Sequence, residues 1–222
     1  MNFTYGIFTH NEGRKYIETC VSHIKDAMAE NDEIIIVDDF STDKETCDYL
    51  EEIKDSVRLI KHSLNGDFAT HKNHLLENAT KDWILLFDAD EYMEVETIQR
   101  LREIAFRFDG QIDAYNIPHL NRIIGLDMEY VAKMHWTAPF VYGERAINYP
   151  DYHVRMFKNV PYIRYRNKIH EVPVGYRCAK FIQVLSNFEF IHIKTQERQI
   201  KQNLLYDQID HEYYERQNIS LQ

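Results

Sequence analysis

The sequence predicts an α/β fold in which a mostly parallel central sheet is flanked by helices. Apolar runs of strand length recur through the first half of the chain, and segments with helical spacing separate them. An apolar run without alternation is typical of a strand buried on both faces. Strands that alternate with helices indicate parallel pairing through right-handed crossovers. Two of the apolar runs end in carboxylates, which indicates a ligand site at one edge of the sheet.

Strands and helices alternate regularly through the first half. The predicted strands span residues 3–8, 33–39, 57–62 and 83–87. The predicted helices span residues 14–29, 44–53, 71–79 and 97–108. Ser41, Thr42 and Asp43 precede the second helix and are residue types that commonly cap helices. Asn65, Gly66 and Asp67 follow one another and predict a turn.

The pattern changes after residue 110. A strand is predicted at residues 112–118, and residues 119–152 contain prolines, glycines and the pair His135-Trp136. This composition predicts a long loop or an excursion over the ligand site. Beyond it, the sequence predicts short strands at 153–157, 162–165 and 188–193, and a polar helix at 197–216.

Composition restricts the class of protein. The length of 222 residues suits one domain, and 44% of the residues are apolar, enough for a sizeable core. The net charge of −10 gives no general attraction to nucleic acid, so a nucleic-acid acceptor is not favoured. The chain has no 18-residue apolar run and no N-terminal signal pattern, so we expect neither a membrane span nor secretion. Three cysteines without metal-ligand spacing predict reduced thiols in a cytoplasmic protein.

A cluster of acids directly follows the apolar run that ends at Phe87. Asp88 and Asp90 are two residues apart, so in an extended backbone their carboxylates point the same way. Two carboxylates held on one side repel each other unless a cation lies between them. Oxygen ligands of this kind suit Mg²⁺ or Mn²⁺. The alternative interpretation is a solvated acidic turn after a core strand.

A second acidic pair, Asp38 and Asp39, ends an earlier apolar run. Both acidic strand ends should lie on the same edge of a parallel sheet. Asp38 and Asp39 could accept hydrogen bonds from a base or ribose, or could merely cap the next helix. The sequence contains neither Gly-x-x-x-x-Gly-Lys nor Gly-x-Gly-x-x-Gly, so no glycine-rich turn is predicted to hold phosphate. A metal would have to do that instead.

Four segments, in this order and spacing, resemble glycosyltransferase family 2. They are Thr9-His10-Asn11-Glu12, Val37-Asp38-Asp39-Phe40-Ser41-Thr42-Asp43, Lys72-Asn73 and Phe87-Asp88-Ala89-Asp90-Glu91. Later segments resemble the second half of many bacterial and phage members: Val154-Arg155-Met156-Phe157, Ile169-His170-Glu171 and Ile191-His192. The resemblance implies the Rossmann-like GT-A fold. It also implies a nucleotide-sugar-binding half at residues 1–110, with an acceptor-side half and C-terminal helix at 111–222 of the same domain.

The resemblance further implies an inverting transfer from a nucleotide-diphosphate sugar, usually a UDP-sugar, to an acceptor hydroxyl, assisted by Mn²⁺ or Mg²⁺. The acceptor could be a saccharide, a lipid-linked glycan, a protein or a modified nucleobase. The implied donor-binding residues are Thr9, Asn11, Asp38, Asp39, Lys72, Asp88, Ala89, Arg155 and His170. Asp90 is the implied principal metal ligand, with His192 as a further ligand. Arg155 could bind phosphate or simply pair with an acid.

Inversion requires a general base on the face opposite the leaving nucleotide. Family members often carry an acid in a motif well beyond the metal site, and Glu171 is the nearest match. The chain departs from the family pattern because it lacks a Glu-Asp pair there, and because Lys72 replaces a frequent arginine. Two of these residues also have non-functional interpretations. Lys72 could be a solvated helix residue, and His192 could be an ordinary strand histidine.

Three other functions are alternatives to sugar transfer. A haloacid-dehalogenase-like phosphatase would use Asp88 as its nucleophile, but that family expects Thr or Val where Tyr92 stands and places the motif near the N-terminus. A nucleotidyltransferase would need a glycine-rich basic loop, which the segment from Tyr5 to Asn11 does not provide. A non-catalytic nucleotide-sugar binder is the third alternative, and the intact Asp88 and Asp90 argue against it. A metal site formed by His62, His71 and His74 is disfavoured, since no acid or cysteine accompanies them.

Overall fold

Parallel strands and the helices between them occupy the first half of the chain. The structure is a computed structural model that describes residues 1–183 and 188–219. The elements of the first half are β1 (Phe3–Thr9), α1 (Arg14–Ala27), β2 (Glu33–Asp38), α2 (Lys44–Ile53), β3 (Arg58–Lys61), α3 (Phe68–Asn78), β4 (Trp83–Asp88), β5 (Glu91–Tyr92) and α4 (Val95–Arg107). Each predicted strand and helix of this half therefore has a counterpart, with ends that differ by a few residues.

The strands β3, β2, β1 and β4 lie side by side in that order and are parallel. Every residue of β1 is buried, because helices cover both faces of the sheet. Gly6 lies at the centre of β1, where an added Cβ would come within 2.6 Å of Leu75 in α3 and 2.7 Å of Leu86 in β4. The absence of a side chain at Gly6 thus lets α3 pack closely on the sheet.

Aspartate side chains define where two helices begin. Asp43 accepts a hydrogen bond from the backbone N–H of Thr46 and caps α2, as the sequence predicts. Asp67 accepts from the N–H of Thr70 and caps α3. The predicted helix at 71–79 therefore begins three residues earlier, at Phe68, since Asp67 is a helix cap as well as a turn residue.

The second half contains longer strands than predicted. Its elements are β6 (Ala114–Ile124), α5 (Met128–Lys133), β7 (Phe140–Val141), β8 (Glu144–Arg145), β9 (Ile147–Lys158), β10 (Arg164–Arg166), β11 (Val172–Val174), β12 (Ala179–Phe181), β13 (Phe190–Thr195) and α6 (Gln196–Ile219). The long loop predicted at 119–152 is wrong at both ends, because β6 and β9 extend into it as an antiparallel pair. Pro118 and Pro150 lie inside these strands, and the pairing is irregular near Pro118. Between these strands lie α5 and the β7–β8 hairpin, and neither lines the cavity at the sheet edge, so they are not an excursion over it.

One sheet connects the two halves, in the order β3-β2-β1-β4-β9-β6-β13-β5, with β12 also paired to β6. The strand β9 is antiparallel to β4 and β6, whereas β13 is parallel to β6. The predicted α/β architecture with a mostly parallel sheet flanked by helices is confirmed. The division into halves at residue 110 stays a prediction. No helix in the described part of the chain is long and apolar enough to cross a membrane.

Pairing of β13 with β5 positions the end of the chain beside the acidic cluster. The two strands are antiparallel, and His192 lies opposite Glu91. The helix α6 begins directly after β13 and extends from this strand pair. The residues that follow β4 are consequently enclosed by segments from both ends of the sequence.

Candidate active site

A cavity of about 770 Å³ opens at the carboxyl ends of β1, β2 and β4, between α3 and α6. Seven of the residues predicted from the sequence line it: Thr9, Asp39, Lys72, Asp88, Asp90, Glu171 and His192. The other five predicted residues lie behind or beside the walls: Asn11, Asp38, Ala89, Arg155 and His170. The cavity is located where open α/β sheets bind their ligands.

Asp88 is held from behind by an arginine. Its Oδ2 accepts a hydrogen bond of 2.8 Å from Nη2 of Arg155, and its backbone N–H donates to Oε2 of Glu91. The protein surroundings disfavour the ionised carboxylate, but Arg155 and then Lys72 outweigh this effect and hold the pKa of Asp88 well below its usual range. Asp88 is therefore a fixed anion whose charge is balanced within the protein.

Arg155 does not itself line the cavity. Its side chain is only 9% exposed, and Nη2 also donates to Oε1 of Glu91 at 3.2 Å. His119 packs against the same carboxylate, with Nε2 3.6 Å from Oε1. Burial lowers the pKa of His119 well below its usual value, and Arg155 lowers it further, so the imidazole is neutral. The sequence left two roles open for Arg155, phosphate binding and pairing with an acid. Its contacts with Asp88 and Glu91 are those of an arginine paired with acids.

Asp90 points into the cavity and contacts two nitrogen groups. Its Oδ2 lies 3.2 Å from Nε2 of His192 and 3.3 Å from Nη2 of Arg198. Burial opposes ionisation of Asp90, but the neighbouring His192 more than compensates, and the pKa of Asp90 is lowered. Asp88 and Asp90 thus differ in their partners: the first faces a buried arginine, the second faces groups on β13 and α6.

A hydrogen bond to Asn121 fixes the ring of His192. Asn121 donates from Nδ2 to Oδ2 of Asp151 at 3.0 Å, so its Oδ1 is an acceptor. This Oδ1 lies 3.1 Å from Nδ1 of His192, which must therefore carry the proton. The other ring nitrogen, Nε2, is buried and faces Asp90.

Nε2 of His192 and the carboxylate of Asp90 face each other at 3.2 Å. Either a proton on Nε2 or a metal ion between the two groups holds them together at this distance. A carboxylate and an imidazole whose second nitrogen is fixed by hydrogen bonding form a common pair of ligands for divalent ions. Within residues 1–183 and 188–219, no group of three or more His, Cys, Asp and Glu side chains is arranged to hold a metal. Asp90 and His192 fit as two protein ligands.

The turn after β1 builds the opposite wall. Glu12 accepts hydrogen bonds of 2.6 Å from Oγ1 of Thr9 and from the N–H of His10. Asn11 has a different role, since its Oδ1 accepts from the N–H groups of Thr42 and Asp43 and fixes the loop before α2. His10 and Glu12 line the cavity, although sequence reasoning singled out only Thr9 and Asn11 in this motif.

The two acids after β2 also divide their roles. Asp38 is buried, and its Oδ1 accepts from the N–H of Ser41, so it shapes the loop after β2. The alternative that these acids cap the next helix is wrong, because Asp43 caps α2. Asp39 lines the cavity, and its Oδ1 accepts from the N–H of Leu64 at 2.9 Å. Its Oδ2 lies 3.7 Å from Nδ1 of His10.

Lys72 and Glu171 form an ion pair across the cavity wall. Lys72 projects from α3, and its ammonium lies over the rings of Phe8 and Tyr165. Glu171 lies between β10 and β11 with 15% of its side chain exposed. The adjacent His170 is on the surface in a left-handed conformation, with its ring edge towards Tyr206. Glu171 is thus the member of the predicted Ile169-His170-Glu171 motif that reaches the cavity.

Further basic side chains line the cavity and were not anticipated from the sequence: Lys168, Lys194, Arg198 and Lys201. Lys194 is buried and donates to Oε1 of Gln202. Burial lowers the pKa of Lys194, although Asp90 acts in the opposite direction. The polar pattern of α6 predicted a helix but contained no signal for its position over the site.

The family model described as "Glycosyl transferase family 2" matches residues 5–167. The chain belongs to this family. The SPbeta prophage-derived glycosyltransferase SunS of Bacillus subtilis (strain 168) is 26% identical to this chain over 190 residues, which are 85% of this chain and 39% of SunS. Glycosyltransferase GlyG of Streptococcus pneumoniae is 35% identical over 105 residues, 46% of this chain and 35% of GlyG. The chain therefore spans about two-fifths of the length of these relatives or less.

Solved structures give the fold of this family 2 chain. S. aureus TarS 1-349 in complex with UDP has a TM-score of 0.55 and 18% sequence identity, covering 87% of this chain and 60% of TarS 1-349. The same TarS fragment in complex with UDP-GlcNAc gives a TM-score of 0.54. The expected GT-A fold is confirmed. Membership of family 2 favours the glycosyltransferase interpretation over a phosphatase in which Asp88 attacks phosphorus.

Proposed function

We propose that this chain transfers a sugar from a UDP-sugar to an acceptor hydroxyl with inversion, with Mn²⁺ or Mg²⁺ as cofactor. The observation that carries the proposal is the pair formed by Asp90 and Nε2 of His192 in a cavity at the carboxyl edge of the sheet. Family membership and the TarS structures that contain UDP and UDP-GlcNAc support a nucleotide-sugar donor.

Asp39 supports a uracil nucleotide as the donor. One carboxylate oxygen already accepts from Leu64, which leaves Oδ2 as an acceptor at the cavity wall. Uracil presents an N–H at position 3, whereas cytosine presents a lone pair there. A carboxylate that accepts from the uracil N–H would therefore reject cytosine, because two acceptors would face each other. Thr9 lies at the end of the adjacent strand and lines the same wall.

Asp90 and His192 would hold the divalent ion. The ion, when bound, supplies a Lewis acid that neutralises charge on the leaving diphosphate. Asp88, fixed by Arg155, would keep a second carboxylate beside Asp90 without adding an unbalanced charge. Lys72, Lys168 and Lys194 provide further positive charge on the cavity wall. These groups suit a ligand that carries two phosphates.

Glu171 is the proposed general base. Its carboxylate would accept the proton of the acceptor hydroxyl as the oxygen attacks the anomeric carbon and the bond to the diphosphate breaks. Lys72 contacts this carboxylate and would fix its orientation. The proposed acceptor is a saccharide or another hydroxyl-bearing molecule. A cytoplasmic location is also proposed, and the free thiols of Cys20, Cys47 and Cys178 support it.

The proposal is tested by titrating UDP into the purified chain with and without Mn²⁺ in a calorimeter, and by assaying hydrolysis of UDP-sugars. We expect Mn²⁺-dependent UDP binding that Asp90→Asn weakens by about 10-fold or more, which is about 1.4 kcal/mol. Asp48→Asn is the matched control, since Asp48 is an exposed acid paired with Lys44 on α2. Absence of UDP binding by the unmodified chain would overturn the proposal. Binding without hydrolysis or transfer would instead favour the non-catalytic binder.

A further inference from the structure

The first turn of α6 brings a cation to the proposed metal site. Arg198 donates from Nη2 to Oδ2 of Asp90, the same oxygen that faces Nε2 of His192. We propose that Arg198 exchanges partners: it neutralises Asp90 in the ligand-free protein and moves to the donor diphosphate when a divalent ion takes its place. This inference rests on the proposed function and concerns how metal and donor reach the same site.

Arg198 and a metal ion compete for one position. A divalent ion bound between Asp90 and His192 would lie close to Oδ2, from which Nη2 of Arg198 is only 3.3 Å distant. Two cations so close together repel strongly, and the partly buried surroundings screen the repulsion less than water does. Binding of the ion must therefore displace the guanidinium from Asp90.

The displaced guanidinium has N–H groups that can donate hydrogen bonds to a ligand. Its Nη1 is buried and forms no hydrogen bond to any described residue, and Nη2 is engaged with Asp90. The guanidinium lies over the ring of Tyr16, 4.8 Å from its centroid, which supports its flat face without using its N–H donors. A planar fork of N–H donors is well suited to bind phosphate oxygens in pairs.

The surroundings of Arg198 favour a diphosphate as the second partner. Arg198 lines the cavity together with Lys194 of β13 and Lys201 of α6. An anionic ligand that enters between these side chains would gain a third cation when Arg198 turns from Asp90. The same movement frees Asp90 for the divalent ion that accompanies a nucleotide diphosphate.

The exchange couples the binding of metal and nucleotide. Metal alone must displace Arg198 without a new partner for it, and nucleotide alone must compete with Asp90 for the guanidinium. When both bind, a single displacement of Arg198 from Asp90 makes room for the metal ion and supplies the guanidinium to the nucleotide. Each ligand should therefore raise the affinity for the other, by the same factor in both directions.

Calorimetric titration of Mn²⁺, with and without saturating UDP, tests the inference in the unmodified chain, Arg198→Met and Arg198→Lys. Without nucleotide, we expect Arg198→Met to bind Mn²⁺ about 10-fold more tightly, equivalent to about 1.4 kcal/mol. The increase in Mn²⁺ affinity caused by UDP should fall about 10-fold in this variant. Arg198→Lys keeps a cation near Asp90 and should stay close to the unmodified chain.

Arg14→Met is the matched control. Arg14 is in the first turn of α1, pairs with Glu18 and Glu52, and lies over the ring of Tyr49, but it does not line the cavity. Equal or weaker Mn²⁺ binding by Arg198→Met, in a protein that still binds Mn²⁺ and UDP, would overturn the exchange and leave the proposed function intact. Failure of the unmodified chain to bind either ligand would overturn the proposed function itself.

Discussion

Arg155 and Asp88, 67 residues apart in the sequence, are joined by a hydrogen bond of 2.8 Å behind the cavity. The same guanidinium contacts Glu91, so one buried cation is shared by two of the three acids at the end of β4. Asp90 is left to face the cavity, where His192 and Arg198 contact it. The acidic motif is therefore not a uniform cluster, and its members should respond differently to substitution.

Replacing Arg155 with methionine should lower the free energy of unfolding at pH 7 by about 3 kcal/mol, since removing one partner of a buried ion pair leaves uncompensated charge. Arg155 lowers the pKa of Asp88, and such a contribution is full above the unfolded pKa of about 3.9 and is lost progressively as the pH falls from there towards the lowered pKa of the folded protein. The difference between Arg155→Met and the unmodified chain should therefore shrink below about pH 4. Urea denaturation at pH 7 and pH 3.5 measures it. A loss that is equal at both pH values would contradict the electrostatic explanation.

Replacing Glu171 with glutamine should lower the rate of sugar transfer or hydrolysis by about 100-fold or more, the contribution expected of a general base. UDP affinity should not fall, because the amide keeps the size of the side chain and Lys72, released from its ion pair, still supplies positive charge to the cavity wall. Steady-state kinetics and calorimetry on the same preparation separate the two effects. Glu18→Gln, at an exposed position paired with Arg14, is the control. Full activity of Glu171→Gln would place the base elsewhere.

His71 should make stability depend on pH. It is buried on the cavity wall with its ring against Phe8 and its Nδ1 3.0 Å from Nδ1 of His62. Burial, and then His62, lower its pKa to about 4. Between its unfolded pKa of about 6.5 and this value, the unfolded chain binds a proton that the folded protein excludes, so folding stability is lost as the pH falls.

The loss attributable to His71 is about 3 kcal/mol between pH 7 and pH 4, at 1.36 kcal/mol per pKa unit. The glutamine of His71→Gln cannot be protonated in this range. The free energy of unfolding of this variant should therefore fall by about 3 kcal/mol less than that of the unmodified chain. Guanidinium denaturation of both proteins at several pH values measures the two slopes. Identical slopes would show that His71 is protonated as readily in the folded protein as in the unfolded chain.

Gly6 should not tolerate a side chain. In Gly6→Ala, the new methyl group would clash with Leu75 and Leu86, both fully buried. Overpacking of this kind costs about 1–3 kcal/mol. Adding Leu75→Val should recover part of the loss, because the shorter side chain vacates some of the contested space. Thermal unfolding of the single and double variants tests this, and strictly additive losses would argue against a local clash.

The first half of the fold could be predicted because its information is local. Continuous apolar runs such as Ile34 to Val37 specify strands buried on both faces, and Asp43 marks the start of α2 within four residues of its partner. The second half was harder. Pro118 and Pro150 interrupt the patterns of β6 and β9, and prolines are rare inside sheets, so a loop was the natural expectation.

The contacts that define the candidate site are not local. Arg155 meets Asp88, His192 meets Asn121 and Arg198 meets Asp90 across 67, 71 and 108 residues respectively. Spacing along the chain contains no information about such pairs. The family resemblance pointed to Asp90 and His192, whereas the position of α6, and with it Arg198, emerged only from the three-dimensional arrangement.

The pairing of β5 with β13 imposes an order on folding during synthesis. The strands β1 to β4 can pair as they leave the ribosome, because they follow one another closely in the sequence. Arg198 follows Asp90 by 108 residues. At about 5–20 residues per second, a delay of roughly 5–20 s separates the two. Throughout that interval the nascent sheet presents Asp90 without its arginine, so the half-made protein exposes an acidic edge that only later translation covers.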